Sequence, residues 1–185
     1  MSGMSESQAP ASISALDSER IARYKALRLR ALREHPDAFM EPPEAFEDRS
    51  VESINERMKE SETRGGFTLV AEIPERGLVG TASLGIGFTP KDSHRGLVWG
   101  VYVAPEARGL GIARLLMKEV IERASRNPAL RNIHLSVVRS NNQALSLYES
   151  LGFMRYGVDV DALYVNGEYL SEVLMAMDLR EPAHS

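Results

Sequence analysis

Apolar residues recur at three- and four-residue steps through Ile21, Tyr24, Leu27 and Leu32, set among arginines and lysines, which is the spacing of a helix with one buried face. Asp17 and Ser18 offer side-chain oxygens to cap it, and His35-Pro36 ends it because proline disfavours helix in the residue before it. Ile13 to Leu16 reads as a short strand ahead of this helix. A second helix is predicted from about Val51 to Glu60, with Phe39-Met40-Glu41-Pro42-Pro43-Glu44 between the two as an irregular segment long enough to wall a binding site. After Gly65-Gly66 the pattern changes. Phe67 to Ala71, Leu78 to Ile86 and Gly96 to Val103 are β-prone runs, the first two split by the turn Ile73-Pro74-Glu75-Arg76-Gly77, and they read as three strands in meander. Helical spacing returns over Ile112 to Ser125, where Leu115, Leu116, Val120 and Ile121 are predicted to face inward and Asn127-Pro128 ends the helix. Ile133 to Val138 is then a strand, Asn141 to Ser150 a short helix stopped by Gly152, and Phe153 to Val160 and Tyr169 to Leu179 are two further strands. The prediction is an α/β domain over 12–180, with a mixed, mainly antiparallel sheet of six to seven strands and about four helices. Residues 1–11 read as a flexible lead-in and 181–185 as a tail.

Composition narrows the function classes. A chain of 185 residues, 43% hydrophobic and 26% charged, fits one soluble domain with its own core. Cysteine is absent, so disulfides, cysteine-ligated zinc and a cysteinyl acyl-enzyme are ruled out. A net charge of -4 supplies no basic patch of the kind nucleic-acid binding needs. Met1 to Ser12 lacks the basic and apolar regions of a signal peptide, and no stretch approaches the ~20 apolar residues of a membrane helix. The expectation is a cytoplasmic protein with neither nucleic acid nor membrane as partner. His35, His94, His134 and His184 are scattered singly without metal-ligand spacing, so no metal is expected.

The segment with the most chemistry joins the strand ending at Val103 to the helix opening at Ile112. It runs Arg108-Gly109-Leu110-Gly111-Ile112-Ala113. A helix start has unpaired backbone N–H groups and the positive end of the macrodipole, so it binds phosphate oxygens through main chain. Glycine at 109 and 111 permits positive φ and a close approach of backbone to the anion. The segment lacks the Gly-Lys-Ser/Thr ending of a nucleoside-triphosphate loop and the three-glycine spacing of a dinucleotide fingerprint.

Arg108-x-x-Gly111-x-Ala113, after Val103-Ala104-Pro105, resembles the acyl-CoA pyrophosphate motif of the GNAT superfamily of N-acetyltransferases. Asn141-x-x-Ala144-x-x-Leu147-Tyr148-x-x-Leu151-Gly152-Phe153 resembles the downstream motif of the same superfamily, in the right order and at the right distance. The opening Leu27 to Leu32 and the close Asn166 to Met175 are similar to many bacterial members, so the likeness runs from about Ser12 to Arg180.

The resemblance implies a sheet whose central strands splay, with the pantetheine arm of acetyl-CoA entering the gap as an added strand. By motif position, Val101, Tyr102 and Val103 supply the backbone edge for that arm. Arg108, Gly109, Leu110, Gly111, Ile112 and Ala113 hold the pyrophosphate, and Asn141 bonds the cofactor while also being placed to cap its helix. Tyr148 is the implied catalytic acid, protonating the departing CoA thiolate, its alternative role being to pack beside Leu147 and Phe153. The implied reaction is direct transfer from acetyl-CoA to a primary amine of a small molecule by a protein that pairs as a homodimer. Acetylation of a protein or peptide, or a non-catalytic acyl-CoA-binding module, are the alternatives. Many members carry a Glu on the central strand, but Leu97 to Ala104 has no acid, and Glu72, His134 and Glu172 are the candidates for the general base. Trp99 and Tyr102 are predicted on opposite faces of their strand, with Trp99 in the core.

Overall fold

The structure, a computed structural model, describes residues 11–180. Within them a seven-stranded sheet has the order β1-β2-β3-β4-β5-β7-β6. The strands are β1 (Ser12–Ala15), β2 (Phe67–Ile73), β3 (Gly77–Ile86), β4 (Arg95–Val103), β5 (Asn132–Val138), β6 (Met154–Val165) and β7 (Glu168–Asp178). The helices are α1 (Ile21–Glu34), α2 (Pro43–Glu47), α3 (Val51–Thr63), α4 (Ile112–Ser125) and α5 (Asn142–Ser150). Every pairing is antiparallel except β4 with β5, which are joined through α4. The expected architecture is therefore present, including the meander β2–β3–β4.

Alternation along β2 assigns the two faces of the sheet. Val70 packs with Leu16, Ile21, Tyr24, Leu32, Phe46 and Ile54 beneath α1, α2 and α3. Its neighbours Leu69 and Ala71 join the larger core with Leu116, Met117 and Val120 of α4 and Leu145 of α5. The first helix is capped as its sequence suggested: Asp17 accepts from the Arg20 backbone N–H at 3.1 Å and opens a single 3-10 turn that runs into α1.

Several local expectations change. The segment predicted irregular, Phe39 to Glu44, ends by entering α2, because Pro43 sits at its first position and Phe46 can be buried there. Leu115 is 44% exposed, and Met117 and Ala124 take inward positions on α4 instead. Strand β6 continues to Val165, where Asn166 (φ 53°) and Gly167 (φ 88°) make the two-residue turn into β7. Both turn residues need positive φ, which Asn-Gly adopts readily.

The feature that positions the site is a bulge in β4. Thr81 pairs with Tyr102 and Ser83 with Trp99, so two steps on β3 face three on β4. Gly100 absorbs the extra residue at φ 68°. The inserted residue reverses the phase of the strand. Trp99 approaches Arg28 of α1, and Tyr102 packs with Leu27 and Ala31 of the same helix. Both rings face α1, which corrects the expectation of opposite faces. Trp99 is also 42% exposed, so it is no core residue.

Candidate active site

Strands β4 and β5 pair only at Arg95, Gly96 and Leu97 with Asn132, Ile133 and His134. Past Leu97 they part. The gap opens into a cleft of about 1150 Å³ walled by Trp99, Gly100 and Val101 on one side and by Ser136, Val137 and Val138 on the other. Groups from both faces of the sheet reach it: Tyr148 and Ala144 from α5, and Arg28, Phe39 and Glu41 from α1 and the segment after it.

Tyr148 is buried, 7% exposed, with its ring edge-on to Phe153 at 5.9 Å between centroids. Its hydroxyl has no hydrogen-bond partner among the described residues, and burial pushes its pKa up to about 12. The phenol therefore keeps its proton across the neutral range and can give it to a group inside the gap. The ring packs against Phe153, and the hydroxyl stays without a partner among the described residues. Asn141 also lines the cleft, and its Oδ1 accepts from the Ala144 N–H at 3.1 Å, capping α5. That bond leaves the side-chain NH₂ as a donor.

The loop 108–113 lies outside the cleft wall, exposed from Arg108 to Gly111 with Ile112 buried where α4 begins. Gly109 (φ 79°) and Gly111 (φ 73°) turn the chain there, and a Cβ at either would meet nothing within 4 Å. Glycine is needed for its φ at these positions, with space to spare. The backbone N–H groups of 109–114 have no acceptor among the described residues, which makes the loop a row of free donors at a helix start. The Arg108 side chain turns back, donating from Nε to the Val103 carbonyl at 3.2 Å and lying 2.8 Å from His35 Nε2.

Val101 and Val103 pack partly against the α4 core, leaving β4 backbone along the gap. Tyr102 is anchored away from it, its hydroxyl donating to Glu34 at 2.7 Å. Of the three acid–base candidates, Glu72 lies outside the cleft, its carboxylate 2.6 Å from Arg23 Nη1. His134 lines the cleft wall beside Asn132 Oδ1 at 2.9 Å and Arg95, and burial followed by the Arg95 charge lowers its pKa. Glu172 borders the cleft opposite Val138 with no hydrogen-bond partner among the described residues. No cluster of three or more His, Asp and Glu side chains disposed to hold a metal occurs among the described residues. No helix there is long and apolar enough to cross a membrane.

Arg28 is the residue the sequence reading passed over. It is 4% exposed, the only buried charged side chain among the described residues, and burial lowers its pKa. The helical spacing carried the signal. Position 28 falls on the stripe of Tyr24, Ala31 and Leu32, where a charge has to find a purpose.

The sequence profile of the Acetyltransferase (GNAT) family matches residues 29–153. The chain belongs to this family. A spermidine N(1)-acetyltransferase of Vibrio cholerae is 30% identical over 131 residues, covering 71% of this chain and 72% of that one. A GNAT acetyltransferase from Streptococcus pneumoniae superposes with a TM-score of 0.82 at 20% identity, over 91% of this chain and 98% of that one. A Salmonella typhimurium structure containing its cofactor acetyl-CoA gives 0.79 at 23%, over 96% and 98%. The GNAT fold is thus shared nearly end to end, and the chain is an acetyl-CoA-dependent N-acetyltransferase.

Proposed function

We propose that this GNAT enzyme transfers the acetyl group of acetyl-CoA directly to a primary amine of a small molecule, with Tyr148 as the general acid. The observation that carries the reading is the buried, partner-free Tyr148 hydroxyl at the gap between β4 and β5. The pantetheine arm lies along the backbone of Val101, Tyr102 and Val103, the pyrophosphate beside Arg108 on the free N–H groups from Gly109 to Ala113, and the Asn141 amide donates from the far wall. The amine nitrogen attacks the acetyl carbon, the C–S bond breaks, and the Tyr148 proton passes to the departing thiolate. The amine arrives as an ammonium, and Glu172 is the group best placed to take its proton, through water. Relatives named as spermidine acetyltransferases support a small amine as acceptor. A homodimer is part of this reading, supported by the exposed Met154, Tyr156, Val158, Val160 and Tyr164 on the edge strand β6.

The test is thiol release from acetyl-CoA across a panel of amines, amino acids, polyamines and aminoglycosides. Saturable turnover with at least one member is expected. Tight acetyl-CoA binding with no turnover of any member would overturn the small-molecule reading.

A further inference from the structure

The acetyl-transfer chemistry proposed above leaves Arg28 unused. Its side chain is 5% exposed and lines the cleft, yet Nε and Nη1 have no hydrogen-bond partner. Nη2 stands 3.9 Å from Glu41 Oε2, but the other oxygen of that carboxylate is already held by Arg49 at 2.6 Å. Two guanidinium groups share one carboxylate, and one positive charge is left over. The Phe39 and Trp99 rings lie against this guanidinium, at 4.5 Å and 5.7 Å to their centroids. None of its N–H groups has a hydrogen-bond partner among the described residues, so the Nη1/Nη2 edge is open, and that edge can grip a carboxylate by two parallel bonds. Its place is equally informative. Nη1 lies 3.6 Å from the point where a Cβ on Gly100 would stand, so this edge sits against the bulge of β4 on the wall of the gap.

We infer that Arg28 is the carboxylate subsite of the acceptor pocket, and that the acetyl acceptor is an amino acid, with its amine one or two carbons from its carboxylate. The inference rests on reading the gap as the place of acetyl transfer. An attacking amine must come within about 3–3.5 Å of the acetyl carbon. An anion bound at the bulge then belongs to the same small molecule only if few bonds separate it from that amine. A polyamine would bring positive charge to a place that already has one in excess, and it offers this edge no acceptor. Ile54 and Met58, also on the cleft wall, leave room for an apolar side chain beside Phe39.

The experiment is steady-state acetylation by the full-length protein of matched pairs: phenylalanine with phenethylamine, and ornithine with putrescine, with spermidine alongside. kcat/KM is expected to favour the carboxylate-bearing member by at least about tenfold, and Arg28→Gln to bring that ratio within about twofold of unity. Glu41→Gln removes the competing carboxylate from a partly exposed position and is expected to lower KM for the amino acids, which gives an independent readout should the Arg28 variant fail to fold. Turnover of amines without preference for the carboxylate, a preference that survives Arg28→Gln, or an unchanged or raised KM in Glu41→Gln would overturn the subsite and leave acetyl transfer intact. Absence of turnover with every pair would overturn both.

Discussion

Trp99 and Tyr102, three positions apart on one strand, turn their side chains to the same helix because Gly100 inserts an extra residue between them. That insertion lies just past Leu97, the last residue of β4 paired with β5, so the irregularity borders the gap and aims a ring into the cleft. Gly100→Ala tests it. A Cβ there would meet Arg28 Nη1 at an ordinary 3.6 Å, so the cost comes from holding alanine at φ 68°. A loss of about 1–2 kcal/mol in urea unfolding is expected, together with a raised KM for acetyl-CoA. Unchanged values on both would mean that the bulge survives without glycine.

Tyr148→Phe keeps the packing against Phe153 and removes the proton. Turnover is expected to fall by roughly a hundredfold while the dissociation constant for acetyl-CoA, measured by calorimetry, stays within about twofold. Because the folded pKa is raised to about 12 and the unfolded phenol titrates near 10, the unfolded chain holds fewer protons between those values. The contribution of Tyr148 to stability is therefore complete below pH ~10 and lost as pH rises toward ~12. The Phe variant should lose less stability across that window.

Gly111→Val places a β-branched residue at φ 73° at the start of α4. Space is not limiting, so the chain must rotate out of the left-handed region, carrying the unpaired N–H groups with it. A rise of at least about tenfold in KM for acetyl-CoA is expected, with a smaller change in KM for the acceptor. Equal rises in both would point to general disorder of the fold.

Glu172→Gln asks whether the cleft carboxylate takes the proton of the acceptor ammonium. Loss of the acidic limb from the kcat/KM profile against pH, with turnover down by about tenfold or more, is the expected result. A profile superimposable on that of the unaltered enzyme would remove Glu172 from the reaction.

The Tyr102–Glu34 bond gives a pH signature on the other face of β4. The Tyr102 hydroxyl and then Arg30 hold the Glu34 carboxyl below its usual pKa of 4.5. A depressed carboxylate pKa contributes stability that is present above the unfolded value and is lost as pH falls through the folded one. Tyr102→Phe should therefore cost about 1 kcal/mol at neutral pH and flatten the acid limb of the stability profile below pH ~4.5. Chemical denaturation at pH 7 and pH 3 measures both.

The elements with strong periodicity and clear stops were legible before any coordinates: α1 between Asp17 and His35-Pro36, α4 before Asn127-Pro128, and the β2–β3 hairpin at its Pro-Glu-Arg-Gly turn. So was the row of donors at Gly109 and Gly111, because a strand, two glycines and a helix start leave N–H groups unpaired, while their reading as a pyrophosphate loop came from the resemblance that Asn141 to Phe153 completes. The rest depended on contacts between distant segments. Gly100 looks like any strand glycine until β3 supplies the register against which it is one residue too many. Arg28 sits in the run Leu27 to Leu32 close to Arg30, and although helical spacing puts it on the buried stripe, only the packing of Phe39 and Trp99 shows what its guanidinium faces. Glu172 and His134 were both candidates in sequence, and the contacts of His134 with Asn132 and Arg95, against none for the Glu172 carboxylate among the described residues, tell them apart.

The three residue pairs joining β4 to β5 carry a mechanical meaning as well. Among the described residues they are the only ladder between a four-stranded half and a three-stranded half, so the sheet is jointed, and a cosubstrate bound as proposed would replace the missing rungs. Stability and occupancy are then coupled: a ligand that binds only the folded form adds about 2.7 kcal/mol at a hundred times its dissociation constant. In amide exchange, the added protection should fall on Val98 to Val103 and Leu135 to Val138, where the two halves would meet through the cosubstrate.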